Sequence, residues 1–174
     1  RWVTGATLTT RRTEHTIAAF SADGAAYFVV AGGRDQTSTV LDSVEYINAG
    51  RLQAGGGWSA PQGKLTAARY ELSAVVLDDS VLFAGGYGKD TYSSTVDRLL
   101  FADRTLVPYT TQLASSRRAL TGVAVGSRPQ RALFVGGEVA FPTSTSVTTD
   151  AVDILAASGE RVVTAGAYSR AYHQ

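Results

Sequence analysis

Three apolar stretches that each end in a glycine pair decide the fold of this chain. They are Tyr27-Phe28-Val29-Val30-Ala31-Gly32-Gly33, Val81-Leu82-Phe83-Ala84-Gly85-Gly86 and Ala132-Leu133-Phe134-Val135-Gly136-Gly137. Gly85 follows Gly32 by 53 residues, and Gly136 follows Gly85 by 51. Such regular spacing indicates an internal repeat, in which one small structural unit recurs along the chain.

Other features recur in the same order around each glycine pair. An arginine comes before each apolar stretch, with histidine or leucine three positions after it; these arginines are Arg12, Arg69 and Arg117, with a weaker fourth copy at Arg170. A valine and an acid come after each glycine pair, at Val44-Glu45, Val96-Asp97 and Val152-Asp153. A tryptophan or a Leu-Val pair lies ahead of each arginine, at Trp2, Trp58 and Leu106-Val107.

Each repeat is predicted to hold four short antiparallel strands. The first strands cover residues 16–20, 73–77 and 122–125, and a turn separates each of them from its glycine-terminated run. The valine–acid segment supplies a third strand and the tryptophan or Leu-Val segment a fourth, after turns at residues 48–50, 102–104 and 157–159. No stretch has a sustained 3.6-residue periodicity, so we expect almost no helix. Four short strands at this period are typical of a β-propeller blade, whereas a β-sandwich explains single hairpins but not the period.

The composition excludes several function classes. The chain has 174 residues with a net charge of +1, and it contains neither cysteine nor methionine. The near-neutral charge gives no reason to expect nucleic acid or an anionic membrane as a partner. Without cysteine there is no disulfide framework, thiolate nucleophile, cysteine-ligated zinc or iron–sulfur cluster. No targeting segment is visible, which leaves the compartment open and slightly favours the cytoplasm.

The repeated residues resemble the kelch family of β-propellers. The first copy matches best, and the matching positions are Arg12, His15, Gly32, Gly33, Val44, Glu45, Tyr46 and Trp58. The second copy keeps Arg69, Gly85, Gly86, Val96 and Asp97, with Arg98 in the usual tyrosine position. The third keeps Arg117, Gly136, Gly137, Val152 and Asp153, with Ile154 for the tyrosine and no tryptophan. The resemblance implies an all-β fold, a kelch-type β-propeller with three complete four-stranded blades and partial blades at both ends.

The register of the repeat predicts where each blade begins and ends. Residues 1–10 are expected to hold the last strand of a preceding blade, and residues 167–174 the start of a following one. The complete blades are predicted at residues 11–66, 67–114 and 115–166. A propeller needs at least four blades to close. We therefore expect ring closure either by the rest of a longer chain or by self-association of two copies, and aggregation or dimerisation of the chain by itself.

We predict no catalytic, metal-binding or cofactor-binding residues. His15 and His173 occupy the same repeat position, which favours a structural role, and Asp78-Asp79 fall in a turn. Copper radical oxidases that resemble kelch propellers need a cysteine cross-linked to tyrosine, which this chain lacks. Sialic-acid mutarotases also resemble kelch proteins, but the fold alone cannot establish that activity.

The resemblance places a binding surface at one mouth of the ring. In kelch-like propellers this mouth is lined by the loops between the second and third strands and by the segments leading into the first. The residues predicted to bind a protein or peptide partner there are Arg34, Asp35, Tyr87, Lys89, Tyr92, Arg118 and Glu138. Arg34 resembles a position that kelch proteins use to hold acidic peptides, and a planar guanidinium suits carboxylates. Tyrosines add contact area at a small entropic cost.

The leading hypothesis is a non-catalytic protein–protein interaction module or scaffold. It would be a segment of a larger kelch propeller that binds a protein or peptide at its loop face. One alternative is a structural subunit of a large assembly, held by its blade edges and faces. Another is a segment of a sugar-modifying enzyme similar to the sialic-acid mutarotases.

Overall fold

The computed structural model describes residues 5–53, 56–140, 147–156, 158 and 161–165, with the backbone alone for residue 53 and residues 161–165. Over these ranges the chain is all-β, with several antiparallel sheets and one short helix. The predicted fold class is confirmed at this level. No helix in the described ranges is long and apolar enough to cross a membrane.

Each repeat forms one antiparallel sheet whose strands pair in chain order. The first sheet consists of β1 (Thr16–Ala22), β2 (Ala25–Ala31) and β3 (Val44–Asn48). The second consists of β4 (Ser73–Val76), β5 (Ser80–Ala84), β6 (Val96–Leu100) and β7 (Leu106–Pro108). The third consists of β9 (Thr121–Val125), β10 (Arg131–Val135), β13 (Val152–Ala156) and β14 (Arg161–Ala165). A small sheet beside it consists of β8 (Arg117–Arg118), β11 (Glu138–Val139) and β12 (Val147–Thr148).

Two local predictions in the first repeat are wrong. The predicted fourth strand is reduced to a single bridge between Tyr46 and Ser59, because Pro61 has no N–H with which to extend the ladder. The turn predicted at residues 48–50 begins the helix α1 (Ala49–Gln53), where the Asn48 side chain accepts a hydrogen bond from the Gly50 N–H at 2.9 Å.

The predictions for the ends of the chain fall mostly outside the described residues. This applies to residues 1–4, which contain Trp2, and to residues 166–174, which contain Arg170 and His173. Residues 5–10 form no strand. The segment after the third glycine pair is not a loop throughout, because β11 and β12 pair near its two ends.

The three repeat sheets stack face to face, with one apolar core between each consecutive pair. The first core lies between the first and second sheets and includes Phe20, Val29, Phe83 and Leu99. The second core lies between the second and third sheets and includes Val75, Leu82, Leu120 and Phe134. The middle sheet therefore has apolar residues on both faces, and all five residues of β5 are buried. This is why the glycine-terminated runs are continuously apolar rather than alternating.

A buried ion pair recurs in every repeat and explains the arginine and acid of the sequence pattern. In the second repeat, Arg69 Nη2 lies 2.6 Å from Asp97 Oδ2 and also donates to the Phe83 carbonyl at 3.1 Å. Both side chains are essentially unexposed. The Asp97 carboxylate also accepts the Thr66 N–H at 3.1 Å. The equivalent pairs in the other repeats are Arg12 with Glu45 and Arg117 with Asp153.

The glycine pairs allow consecutive repeats to approach closely. Gly85 has a φ of 67°, and a Cβ at this position would lie 2.7 Å from the Arg117 carbonyl oxygen of the next repeat. The following Gly86 N–H donates to that same oxygen at 2.8 Å. Gly32 and Gly33 make the same approach to Arg69. Each glycine pair therefore turns the chain out of the sheet and leaves room for the backbone of the next repeat to pack closely.

Candidate functional site

The repeat places six side chains along one edge of the three sheets. In each repeat, the residue that follows the glycine pair is paired with the residue that follows the repeat arginine. The pairs are Thr13 with Arg34, Tyr70 with Tyr87 and Arg118 with Glu138. Because the backbone leaves each sheet at the glycine pair, side chains from all three repeats come together there.

Eight side chains at this edge form a connected set, which we call the arginine–tyrosine cluster. Its members are Glu14, Arg34, Tyr70, Glu71, Tyr87, Tyr92, Arg118 and Glu138. It joins residues from all three repeats, so its geometry depends on how the sheets stack.

Arg34 connects the first repeat to the second. Its Nε and Nη2 donate to the two carboxylate oxygens of Glu14 at 2.5 and 2.8 Å. Its guanidinium lies over the ring of Tyr70, with the Cζ 4.1 Å from the ring centroid. The two hydrogen bonds to Glu14 fix the plane of the Arg34 guanidinium. The cation–π contact then keeps this plane packed on Tyr70 of the second repeat.

Three tyrosines occupy the middle of the cluster. The ring centroids of Tyr70 and Tyr87 lie 5.5 Å apart, and those of Tyr87 and Tyr92 lie 5.0 Å apart, both edge to face. Tyr70 is buried, whereas Tyr87 and Tyr92 are partly exposed. Part of the surface of Tyr87 and Tyr92 is therefore accessible at this edge.

Arg118 connects the second and third repeats. Its Cζ lies 5.4 Å from the Tyr87 centroid and 5.6 Å from that of Tyr92. Its Nε and Nη2 donate to Glu138 Oε2 at 3.0 and 2.9 Å, and its Nε lies 3.3 Å from Glu71 Oε2. A single cation is therefore shared by two carboxylates and two aromatic rings.

The charged members of the cluster are partly exposed. The side chains of Arg34 and Glu14 are both 32% exposed, and that of Arg118 is 27% exposed. The hydrogen bond from Arg34 lowers the pKa of Glu14 and raises the pKa of Arg34. Burial lowers the pKa of Arg118, but the contacts with Glu138 and Glu71 outweigh it, so that the pKa is raised overall.

Replacing Arg34 should raise the pKa of Glu14 toward its ordinary value of 4.5. A carboxyl whose folded-state pKa is lowered stabilises the fold above its unfolded pKa, and this contribution is lost as the pH falls through the folded pKa. An NMR titration of the Glu14 carboxyl carbon in the native chain and in Arg34→Gln measures both values. Identical midpoints in the two proteins would show that Arg34 does not bind Glu14 in solution.

The structure brings together five of the seven residues predicted to bind a partner. These are Arg34, Tyr87, Tyr92, Arg118 and Glu138. Asp35 instead holds its own loop, because its Oδ1 accepts the N–H groups of Thr37 and Thr39 at 2.8 and 2.9 Å. The Thr37 hydroxyl also donates a hydrogen bond to this carboxylate and contributes most to lowering the pKa of Asp35. The two backbone hydrogen bonds lower the pKa further.

Lys89 lies outside the cluster, beside a groove between the loops of the first and second repeats. The groove has a volume of about 560 Å³ and is lined by Ser38, Thr39, Val40, Ala67, Ala68, Gly88, Lys89 and Thr91. Small and hydroxyl-bearing side chains dominate it. The groove lies alongside the loop that carries Tyr92, so one extended ligand can contact both.

The sequence analysis missed three members of the cluster, namely Glu14, Tyr70 and Glu71. Each comes one or two positions after a repeat arginine. Glu14 and Glu71 have φ values of 55° and 53°, a backbone conformation that turns their side chains toward this edge. Their fixed position, one or two residues after the repeat arginine, is the sequence feature that could have identified them.

The histidine expected to be structural is partly buried. His15 Nδ1 is buried and has no hydrogen-bond partner among the described residues. Burial, and then the charge of Arg12, lower the pKa of His15. Within the described ranges, no group of three or more His, Cys, Asp or Glu side chains is arranged to hold a metal ion.

No protein-family model matches this sequence, and a comparison with curated proteins finds no match.

Proposed function

We propose that the chain is a non-catalytic protein-interaction module that belongs to a kelch-type β-propeller and binds a protein or peptide at the arginine–tyrosine cluster. The observation that carries the proposal is the continuity of the cluster, which presents two guanidiniums, three carboxylates and three tyrosines along one edge of three repeats. Three stacked four-stranded or nearly four-stranded meanders support the propeller architecture.

The two arginines are positioned to bind acceptor groups of a partner. Arg34 and Arg118 both use Nε and Nη2 on their glutamates. No described residue accepts a hydrogen bond from the Nη1 of either arginine. A peptide carboxylate or carbonyl can therefore join each guanidinium without displacing its glutamate. The ion pairs fix both guanidiniums before binding, which lowers the entropy cost of association.

The tyrosines supply the apolar part of the surface. Tyr87 and Tyr92 are held edge to face and are only partly buried. Tyrosine and arginine are both enriched in interaction hot spots. The partner that fits this surface is a peptide with an apolar side chain flanked by hydrogen-bond acceptors, such as carboxylates or carbonyls.

Substitution of the cluster should weaken binding of selected peptides at least about tenfold, because it removes two contacts worth on the order of 1 kcal/mol each. Peptides are selected from a random displayed library against the purified native chain, and their dissociation constants are then measured with Arg34→Glu/Tyr92→Ala. Arg34→Gln/Tyr92→Ala serves as a second variant, because a new acid beside Glu14 could disturb the fold.

The matched control is Arg128→Glu, a charge reversal at an 87% exposed arginine in the turn between β9 and β10. It should leave peptide affinity unchanged. Thermal melting confirms that each variant is folded. Peptides that bind folded cluster variants as tightly as the native chain would contradict the proposal and favour a structural subunit instead.

A further inference from the structure

Lys89 is a predicted binding residue whose role the arginine–tyrosine cluster does not explain. It is exposed, and it makes no hydrogen bond or ion pair with any described residue. The other lysine of the chain, Lys64, is paired with Asp42, with 3.3 Å between Nζ and Oδ2. An ammonium group that has no carboxylate of its own chain beside it can pair with a carboxylate of a ligand.

Lys89 lies at the tip of a short hairpin whose base belongs to the cluster. Tyr87 and Tyr92 pair across this base. One step further along the hairpin, the Gly88 N–H donates to the Thr91 carbonyl at 2.8 Å. These contacts fix the backbone of Lys89 relative to the two tyrosines.

Both walls of the groove beside Lys89 are held in place. In the second repeat, Gly88 packs so closely that a Cβ at this position would lie 3.1 Å from the Ala68 carbonyl oxygen. In the first repeat, the Asp35 carboxylate accepts the Thr39 N–H at 2.9 Å, and the Asp35 N–H donates to the Thr39 carbonyl at 3.0 Å. The groove is thus formed before a ligand binds, which lowers the entropy cost of binding.

The groove continues to the tyrosines of the cluster. A second cavity of about 210 Å³ lies next to it and is lined in part by Tyr92. The cavity and the groove share four lining residues, which are Ala67, Ala68, Gly88 and Thr91. A peptide that contacts Tyr92 can therefore extend into the groove without leaving the surface.

Lys89 gives the groove its charge. The other described residues that line it are alanine, glycine, valine, serine and threonine, so no described carboxylate lines it, and the neighbouring Asp90 is not part of the lining. The small floor is particular to the second repeat. The residue before the repeat arginine is Ala68 here, whereas it is Arg11 in the first repeat and Ser116 in the third. The groove therefore favours an acidic side chain over a basic one.

We propose that the groove binds an acidic side chain of the peptide that the cluster binds, and that Lys89 selects this side chain. The inference rests on the proposed function, because the cluster anchors the peptide. Lys89 is two residues from Tyr87, so their Cα atoms lie at most about 7 Å apart. Alternate side chains of an extended peptide point to the same side and are also about 7 Å apart. The acidic residue is thus expected two positions from the apolar residue that contacts the tyrosines.

Selection from a random displayed peptide library tests this spacing. Peptides selected on the native chain should carry Asp or Glu two positions from an apolar residue, and this enrichment should disappear on Lys89→Gln. The matched control is Lys64→Gln, which removes the same charge at the other exposed lysine, outside the groove lining. The enrichment should persist on Lys64→Gln. Thermal melting verifies that both variants are folded.

An exchange of charges tests the contact itself. For a selected acidic peptide, Lys89→Gln should weaken binding roughly two- to fivefold, the range of an exposed ion pair. The effect should shrink at high salt. A peptide with lysine in place of its acid should bind Lys89→Glu more tightly than it binds the native chain, because the exchanged charges attract again.

The outcomes distinguish this inference from the proposed function. Selected peptides without an acidic preference, or equal effects of Lys89→Gln and Lys64→Gln on acidic peptides, would overturn the role of Lys89. If Arg34→Gln/Tyr92→Ala still weakens binding of those peptides, the proposed function stands and the inference alone is wrong. If that cluster variant binds them as tightly as the native chain, the proposed function fails and the inference fails with it.

Discussion

Arg69→Met is expected to lower the free energy of unfolding by about 3–5 kcal/mol at pH 7, because it leaves a buried carboxylate without its cation. Asp97 is 0% exposed, and its Oδ2 lies 2.6 Å from Arg69 Nη2. Methionine fills a similar volume to arginine, so the lost stability reflects the unpaired charge of Asp97 more than a cavity. Denaturant titration followed by tryptophan fluorescence measures it.

Two further variants distinguish the contribution of this ion pair to stability from the general effect of replacing an arginine. Arg98→Met removes an arginine from the same sheet, but its partner Asp79 is 60% exposed, so the expected loss is below about 1 kcal/mol. Arg69→Met/Asp97→Asn removes both charges while the amide oxygen can still accept the Thr66 N–H. The double variant should be more stable than Arg69→Met alone. Equal losses for Arg69→Met and Arg98→Met would contradict the structural role of the buried pair.

Gly85→Ala is expected to destabilise the fold by roughly 2–5 kcal/mol, the sum of a left-handed backbone penalty and of overpacking. Gly85 has a φ of 67°, and the new methyl group would lie 2.7 Å from both the Arg117 carbonyl oxygen and Leu120 Cδ2. The backbone oxygen cannot move without weakening the Gly86 hydrogen bond that links the second and third repeats. The loss should therefore appear as a lower thermal midpoint.

Gly24→Ala is the matched control for the glycine prediction. Gly24 has a similar φ of 71°, but nothing lies within 4 Å of a Cβ at that position. It should cost only the backbone penalty of about 1–2 kcal/mol. If Gly24→Ala and Gly85→Ala destabilise the chain equally, the close approach between repeats does not contribute.

Much of the fold could be predicted because the same sequence pattern occurs in three repeats. The first three strands of each sheet fall within a few residues of the predicted positions, since alternation, turns and glycine pairs are local properties. The prediction of a fourth strand in the first repeat is wrong, because the pairing stops at the bridge between Tyr46 and Ser59 and Pro61 has no N–H with which to extend it. The short strands β11 and β12 were missed for a related reason. β11 pairs with β8, about twenty residues earlier in the chain, and β12 pairs with β11.

The candidate site was predictable in position but not in its contacts. The offset from the glycine pair identified Arg34, Tyr87 and Glu138, because these follow a backbone feature that the sequence displays. The partners of Arg34 are Glu14 in its own repeat and Tyr70 in the next. Tyr70 reaches Arg34 only once the two sheets have stacked, a long-range arrangement that no local pattern encodes.

The amino-acid sequence by itself determined the period, the strands, the glycine turns and the absence of cysteine chemistry, since each depends on residue type and on neighbours close in the chain. Only the tertiary structure decided which arginine pairs with which acid and which tyrosines share a cation. It also decided which apolar side chains of the described residues remain exposed. These depend on the stacking of whole sheets, where burial removes water from some charges, pairs others at the edge, and leaves Ile17, Val123 and Val135 exposed at the ends.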